Sequence, residues 1–165
     1  MIYEYSQEGY MKNNKGFTLT ELLIVVAIIA VLVAISIPIF TGQLKKTRLA
    51  TNQANARAGY AAAMVKKIEN KNEPKVDEDE DYIVEGYIYD VESGIAEYDP
   101  NPSSDGTSKP IQEWEFGLTI GKDKYGNPMK AGDGVATKWY IVFSEYVGDD
   151  IEPFSEVVFR GVEED

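Results

Sequence analysis

The chain of 165 residues contains neither cysteine nor histidine. Without cysteine there is no disulfide framework, no thiol nucleophile and no thiolate metal ligand; without histidine the usual base at neutral pH and the commonest zinc ligand are missing as well. A catalytic role is therefore not expected, and whatever folds must be held by an apolar core alone. Acid is scarce in one region and base in another. Between Thr41 and Asn72 seven bases face a single acid, Glu69, a net +6; from Glu73 to Asp165 seven bases face twenty-four acids, a net −17, within an overall charge of −12. A polyanionic C-terminal part with no basic patch and no interleaved aromatics is not expected to bind nucleic acid directly.

Charge is missing altogether from Leu22 to Phe40, nineteen residues of which fourteen are Leu, Ile, Val or Phe. As a helix this run is about 28 Å long, close to the hydrocarbon thickness of a bilayer. The insertion gain of its aliphatic residues exceeds what Ser36 and Pro38 can cancel. An ordinary secretory signal is shorter and ends in a small-residue cleavage site, which this run lacks. Glu21 stands at its entrance, where an acid is costly and marks a function.

Lys15-Gly16-Phe17-Thr18-Leu19-Thr20-Glu21, followed by an apolar run broken by Pro38, resembles the N-terminal signature of type IV pilins and the related pseudopilins. The resemblance covers about residues 12 to 46, and Thr20 stands where many members carry an aliphatic residue. It implies a membrane peptidase that cuts between Gly16 and Phe17 and methylates the new amine of Phe17. It also implies a homo-oligomeric helical filament raised from an assembly platform. Residues 1–16 are then a leader, 17–43 a transmembrane and filament-core helix, and 44–165 a globular head that includes the amphipathic half of the helix. Glu4 and Glu8 fall in the first ten residues, whereas Met11 to Gly16 carries Lys12 and Lys15 and no acid. A start at Met11 would leave the shorter basic leader, and a long genuine leader is the alternative. The implied location is the bacterial cytoplasmic membrane, with the N-terminus inside and the head outside, and afterwards the cell surface or envelope.

Beyond Pro38 and Gly42, where a kink is expected, the helix is predicted to continue to about Asn70. Leu44, Thr47, Thr51, Ala54, Ala58, Ala61, Val65 and Ile68 recur at spacings of three and four and are expected to pack on the head. Asn70, Asn72 and Pro74 should stop the helix. Strands are predicted over Tyr82–Tyr89, Trp114–Ile120, Lys138–Val147 and Phe154–Arg160, with loops over Asp99–Pro110 and Gly121–Gly134. The expected architecture is α+β, with one long N-terminal helix packed on an antiparallel sheet of three or four strands.

Two acidic clusters invite comparison with calcium sites. Asp77, Asp79 and Asp81 have the spacing that opens an EF-hand, but Tyr82 replaces the required glycine. Asp123, with Asp133, Asp149, Asp150 and Glu152 downstream, faintly resembles the calcium loop of the major pseudopilin of type II secretion. No cofactor is expected, with calcium as the one alternative. Glu21 has two roles open to it. It can pair with the Phe17 amine of a neighbouring subunit, or cap its own helix dipole. The charge asymmetry likewise reads as a solvated stem and a soluble head, or as an attraction between stems and heads of neighbouring subunits. The function implied is a structural subunit of a pilus for adhesion, motility or DNA uptake. A secretion pseudopilin, and an unpolymerised membrane-anchored binding domain outside the cell, are the alternatives.

Overall fold

The apolar run and the alanine-rich stem behind it form one helix, α1, which spans Leu19–Glu69 with Pro38 inside it. The computed structural model describes residues 16–69, 75–76, 82–103, 105–146 and 155–163. Asp77, Asp79 and Asp81 lie outside them. The chain divides into two units, Met1–Phe40 and Thr41–Asp165, and α1 contributes to both.

In the second unit the strands are β1 (Lys75–Val76), β2 (Tyr82–Asp90), β3 (Ile95–Asp99), β4 (Thr119–Lys122), β5 (Pro128–Lys130), β6 (Lys138–Tyr146) and β7 (Ser155–Val162). They form one sheet in the order β1-β2-β6-β7-β4-β5, and β3 shares the free edge of β2 with β1. Helix and sheet together give the expected α+β class. Strands β2, β6 and β7 start and end within two residues of the predicted ones, and they form the antiparallel centre of the sheet.

The sheet is larger than predicted, with seven strands, and it is mixed, because β4 runs parallel to β7. The parallel contact depends on two glycines in register. A side chain at Gly121 would fall 1.7 Å from the Gly161 carbonyl oxygen, so only glycine lets β4 lie this close. Strand β3 has no local sequence signal of its own, because its pairing is set by a turn. The Asp90 carboxylate accepts the Ser93 N–H at 2.7 Å, and Gly94 takes a φ of 70°, folding Ile95–Asp99 back on β2. Strand β5 has three residues and begins at a proline, within a stretch that reads as loop.

The alternation from Trp114 to Ile120 is not a strand over its first half. Ile111–Glu113 is a 3-10 turn, and strand pairing begins only at Thr119. Trp114 is buried because its ring stacks on Trp139, with centroids 5.5 Å apart, while its Nε1–H donates to the Lys109 carbonyl at 2.8 Å. Those contacts fix the backbone in a turn that the alternation of side chains does not reveal. Before this turn the chain crosses the sheet face that carries Tyr140 and Arg160. Asp105 accepts hydrogen bonds from Ser103 and Arg160 at 2.6 Å each, and Lys122 stands 3.6 Å away.

Helix α1 packs on the other face of the sheet, and it does so on a different side from the one predicted. Its buried residues are Asn52, Ala56, Gly59 and Ala63. The predicted stripe faces solvent: Ala54, Ala58 and Ala61 are exposed, Val65 is 53 % exposed and Ile68 80 %. Residues 52 and 54 differ by about 200° around the helix, so the two stripes are nearly opposite. Both have the same three-four spacing of small residues, and apolar content favours the wrong one. What selects the buried side is close approach and hydrogen bonding. A side chain at Gly59 would meet Tyr89 at 3.0 Å and Ile141 at 3.1 Å. Asn52, fully buried, donates to the carbonyls of Ala131 and Gly134 at 3.0 and 2.8 Å and accepts the Ala136 N–H at 3.0 Å. Arg48 adds a bond to the Asp133 carbonyl at 2.8 Å, and Lys45 pairs with the Asp133 carboxylate at 3.6 Å. Lys67 ion-pairs with Glu85 farther along.

Every one of these contacts lies within Leu44–Asp165, so that fragment is expected to fold cooperatively without the apolar run. In it Asn52→Ala leaves a buried N–H and two carbonyls without partners and should cost about 2–3 kcal/mol in urea unfolding followed by tryptophan fluorescence. Ala61→Ser, on the solvent side, should leave the midpoint nearly unmoved; equal effects at the two positions would contradict the packing described. A second expectation concerns acid. The Asp105 pKa is lowered, chiefly by the Ser103 hydroxyl, against the effect of burial, with Arg160 and Lys122 adding to the lowering. A carboxyl depressed in the folded state stabilises above its unfolded pKa, about 3.9, and loses that contribution as pH falls through the folded value. Asp105→Asn should therefore flatten the acid side of the stability curve measured below about pH 4 and lower stability near neutrality.

Candidate processing and assembly site

The first turn of α1 is built by residues three apart. Thr18 precedes the helix, and its hydroxyl accepts the Glu21 N–H at 3.2 Å. The Glu21 carboxylate in return accepts both the Thr18 N–H and the Thr18 hydroxyl at 2.8 Å. This is a reciprocal capping box, which satisfies donors that the start of a helix otherwise leaves unpaired. The Leu22 N–H reaches the Thr18 carbonyl at 3.2 Å and closes the turn. Thr18 was not singled out in the sequence, although Thr18-Leu19-Thr20-Glu21 has the Ser/Thr-x-x-Glu spacing that marks such a box. Of the two roles open to Glu21, the cap is the one visible in a single chain.

Gly16 and Phe17 lie just before this turn, both exposed. Among the described residues, a side chain built on Gly16 would meet nothing within 4 Å. Along Leu22–Phe40 every residue is exposed, and the helix is long and apolar enough to cross a membrane. The core helix of a water-soluble protein would be mostly buried; none of this apolar stretch is. The Ser36 hydroxyl donates to the Leu32 carbonyl at 2.7 Å, which leaves no unpaired polar hydrogen on that face. The helix continues through Pro38 and Gly42 without interruption.

Of the candidate calcium residues the structure describes Asp123 and Asp133, and each carboxylate has partners of its own. Asp123 turns inward on its own hairpin: one carboxylate oxygen accepts the N–H groups of Tyr125 and Asn127 at 2.9 and 2.8 Å, and the other the Asn127 side chain at 3.2 Å. Asp133 instead faces Lys45. Asp149, Asp150 and Glu152 lie outside the described residues. Among the described residues no three acidic, histidine or cysteine side chains form a group that could hold a metal.

Residues 11–37 match the family model described as the prokaryotic N-terminal methylation motif. No curated protein and no solved structure matches the chain. The match begins at Met11, includes Gly16, Phe17 and Glu21, and ends one residue before Pro38. Mass spectrometry of the mature protein is expected to find N-methylated Phe17 as the first residue, and Gly16→Val to retain the leader. An intact Gly16–Phe17 bond in surface-exposed protein would contradict the cleavage position. The motif implies a structural subunit that is a substrate of a prepilin peptidase, and with its apolar helix the chain carries the signature of a membrane-anchored precursor of the type IV pilin or pseudopilin kind.

Proposed function

We propose that this protein is the structural subunit of a type IV pilus-like filament, held in the membrane by Leu22–Phe40 before assembly and serving adhesion, motility or DNA uptake. The observation that carries this is the join of one acid to one uncovered apolar helix. Glu21 sits on the first turn of a helix whose next nineteen residues are exposed. Such a surface needs lipid before assembly and other copies of itself afterwards. Once the leader is removed, the amine of Phe17 lies one helical turn from Glu21, so each copy brings one positive and one negative group to the same level. Glu21 then exchanges Thr18 for the Phe17 amine of a neighbour, which neutralises both charges where water is scarce. A head-to-tail contact repeated without ring closure generates a helical filament. Pro38 and Gly42 supply a weakened turn between the apolar half and the stem that carries the head.

Glu21→Ala tests the proposal. Removing an acid from the membrane entrance should leave insertion unchanged or slightly favoured, and cleavage after Gly16 should proceed. Assembly should fail, because the unpaired amine must be buried in the filament at a cost of several kcal/mol. The expected outcome is processed subunit in the membrane with no fibres by electron microscopy. Fibres as abundant as the parent's would leave Glu21 with no role beyond its capping box and would overturn the assembly mechanism.

A further inference from the structure

Of the cations on the stem, most are satisfied within their own chain. Lys45 faces Asp133, Lys66 faces Glu69 at 3.3 Å, Lys67 pairs with Glu85, and Arg48 bonds the Asp133 carbonyl. Lys46 and Arg57 differ. Both are exposed, and among the described residues neither meets an acid or a carbonyl. They are eleven residues apart, close to three full turns, so they lie on one line of the helix about 16 Å from each other. Ala50 and Ala54 stand beside that line and are exposed, so a second surface can approach the backbone closely there. The surplus of opposite charge is on the same protein, whose residues from Glu73 onward carry a net −17.

We infer that Lys46 and Arg57 form an intersubunit contact, engaging carboxylates on the head of a second copy of this chain. The inference rests on the proposed filament, and it assigns to this line of the stem the attraction that sets one subunit's position against the next. A heterologous contact of this kind joins two different surfaces, so every copy offers a stem line to one neighbour and carboxylates of its head to another. Opposite charges placed this way fix register, and reversal of one sign turns attraction into repulsion.

The test uses the full-length protein in cells that assemble it. The double variant Lys46→Glu/Arg57→Glu should be cleaved and accumulate in the membrane like the parent, yet yield about tenfold fewer fibres or none. Lys66→Glu, a reversal at a half-buried stem position already paired with Glu69, should leave fibre number near the parent's. Zero-length carbodiimide coupling on fibres grown from mixed isotope-labelled and unlabelled chains should join Lys46 to an Asp or Glu of the other isotope. Lys45–Asp133 should couple within one isotope and serves as the internal control. Normal fibre yield from the double variant, or Lys46 coupled only within its own chain, would overturn the inference while leaving the filament assignment standing. A parent chain that is processed but forms no fibres would overturn the filament assignment itself.

Discussion

Close approach between α1 and the sheet is the constraint on which the head depends. A helix can sit this near a sheet only if the ridge it presents is small, and Ala56, Gly59 and Ala63 are that ridge. Tyr89 and Ile141 occupy the space a side chain at Gly59 would need. The aromatic core can then surround the contact: Trp114 stacks on Trp139, and Phe159 meets both Trp114 and Tyr60. Such burial is the main favourable term available to a domain without cysteine.

Asn52 supplies the orientation that packing alone lacks. Its amide satisfies three backbone groups of the segment between β5 and β6, so helix rotation would leave several buried polar groups without partners at once. Arg48 and Lys45 extend the same clamp one and two turns back along α1. The unit that begins at Thr41 is thereby tied together from the first turns of its helix. Among the described residues of the first unit, every one from Leu22 to Phe40 is exposed in a single chain.

Charge is arranged by the same division. The stem's cations facing the sheet are held by Asp133 and Glu85, which orders side chains at the helix-sheet junction. The exposed Lys45–Asp133 pair adds little stability by itself, so its value lies in position, whereas Lys67–Glu85 is partly buried. At the helix start, the capping box holds the Glu21 carboxylate in one place without neutralising it.

The amino-acid order by itself determined the membrane-length helix, the position of its acid, the methylation signature, the central strands β2, β6 and β7, and the separation of basic stem from acidic head. Each of these follows from local composition or short-range periodicity, which needs no partner to be read. Thr18 was legible too, since a capping box is a four-residue pattern. The buried side of the stem was decided only by tertiary structure: two stripes have equal spacing, and the choice turns on a glycine that fits beneath Tyr89 and an asparagine that finds three backbone partners 79 to 84 residues away. The parallel placing of β4, the turn that replaces a strand at Trp114 and the return of β3 were likewise decided by contacts between distant segments. Side-chain alternation reports which residues could face a core; it carries no information on which segment arrives to make one.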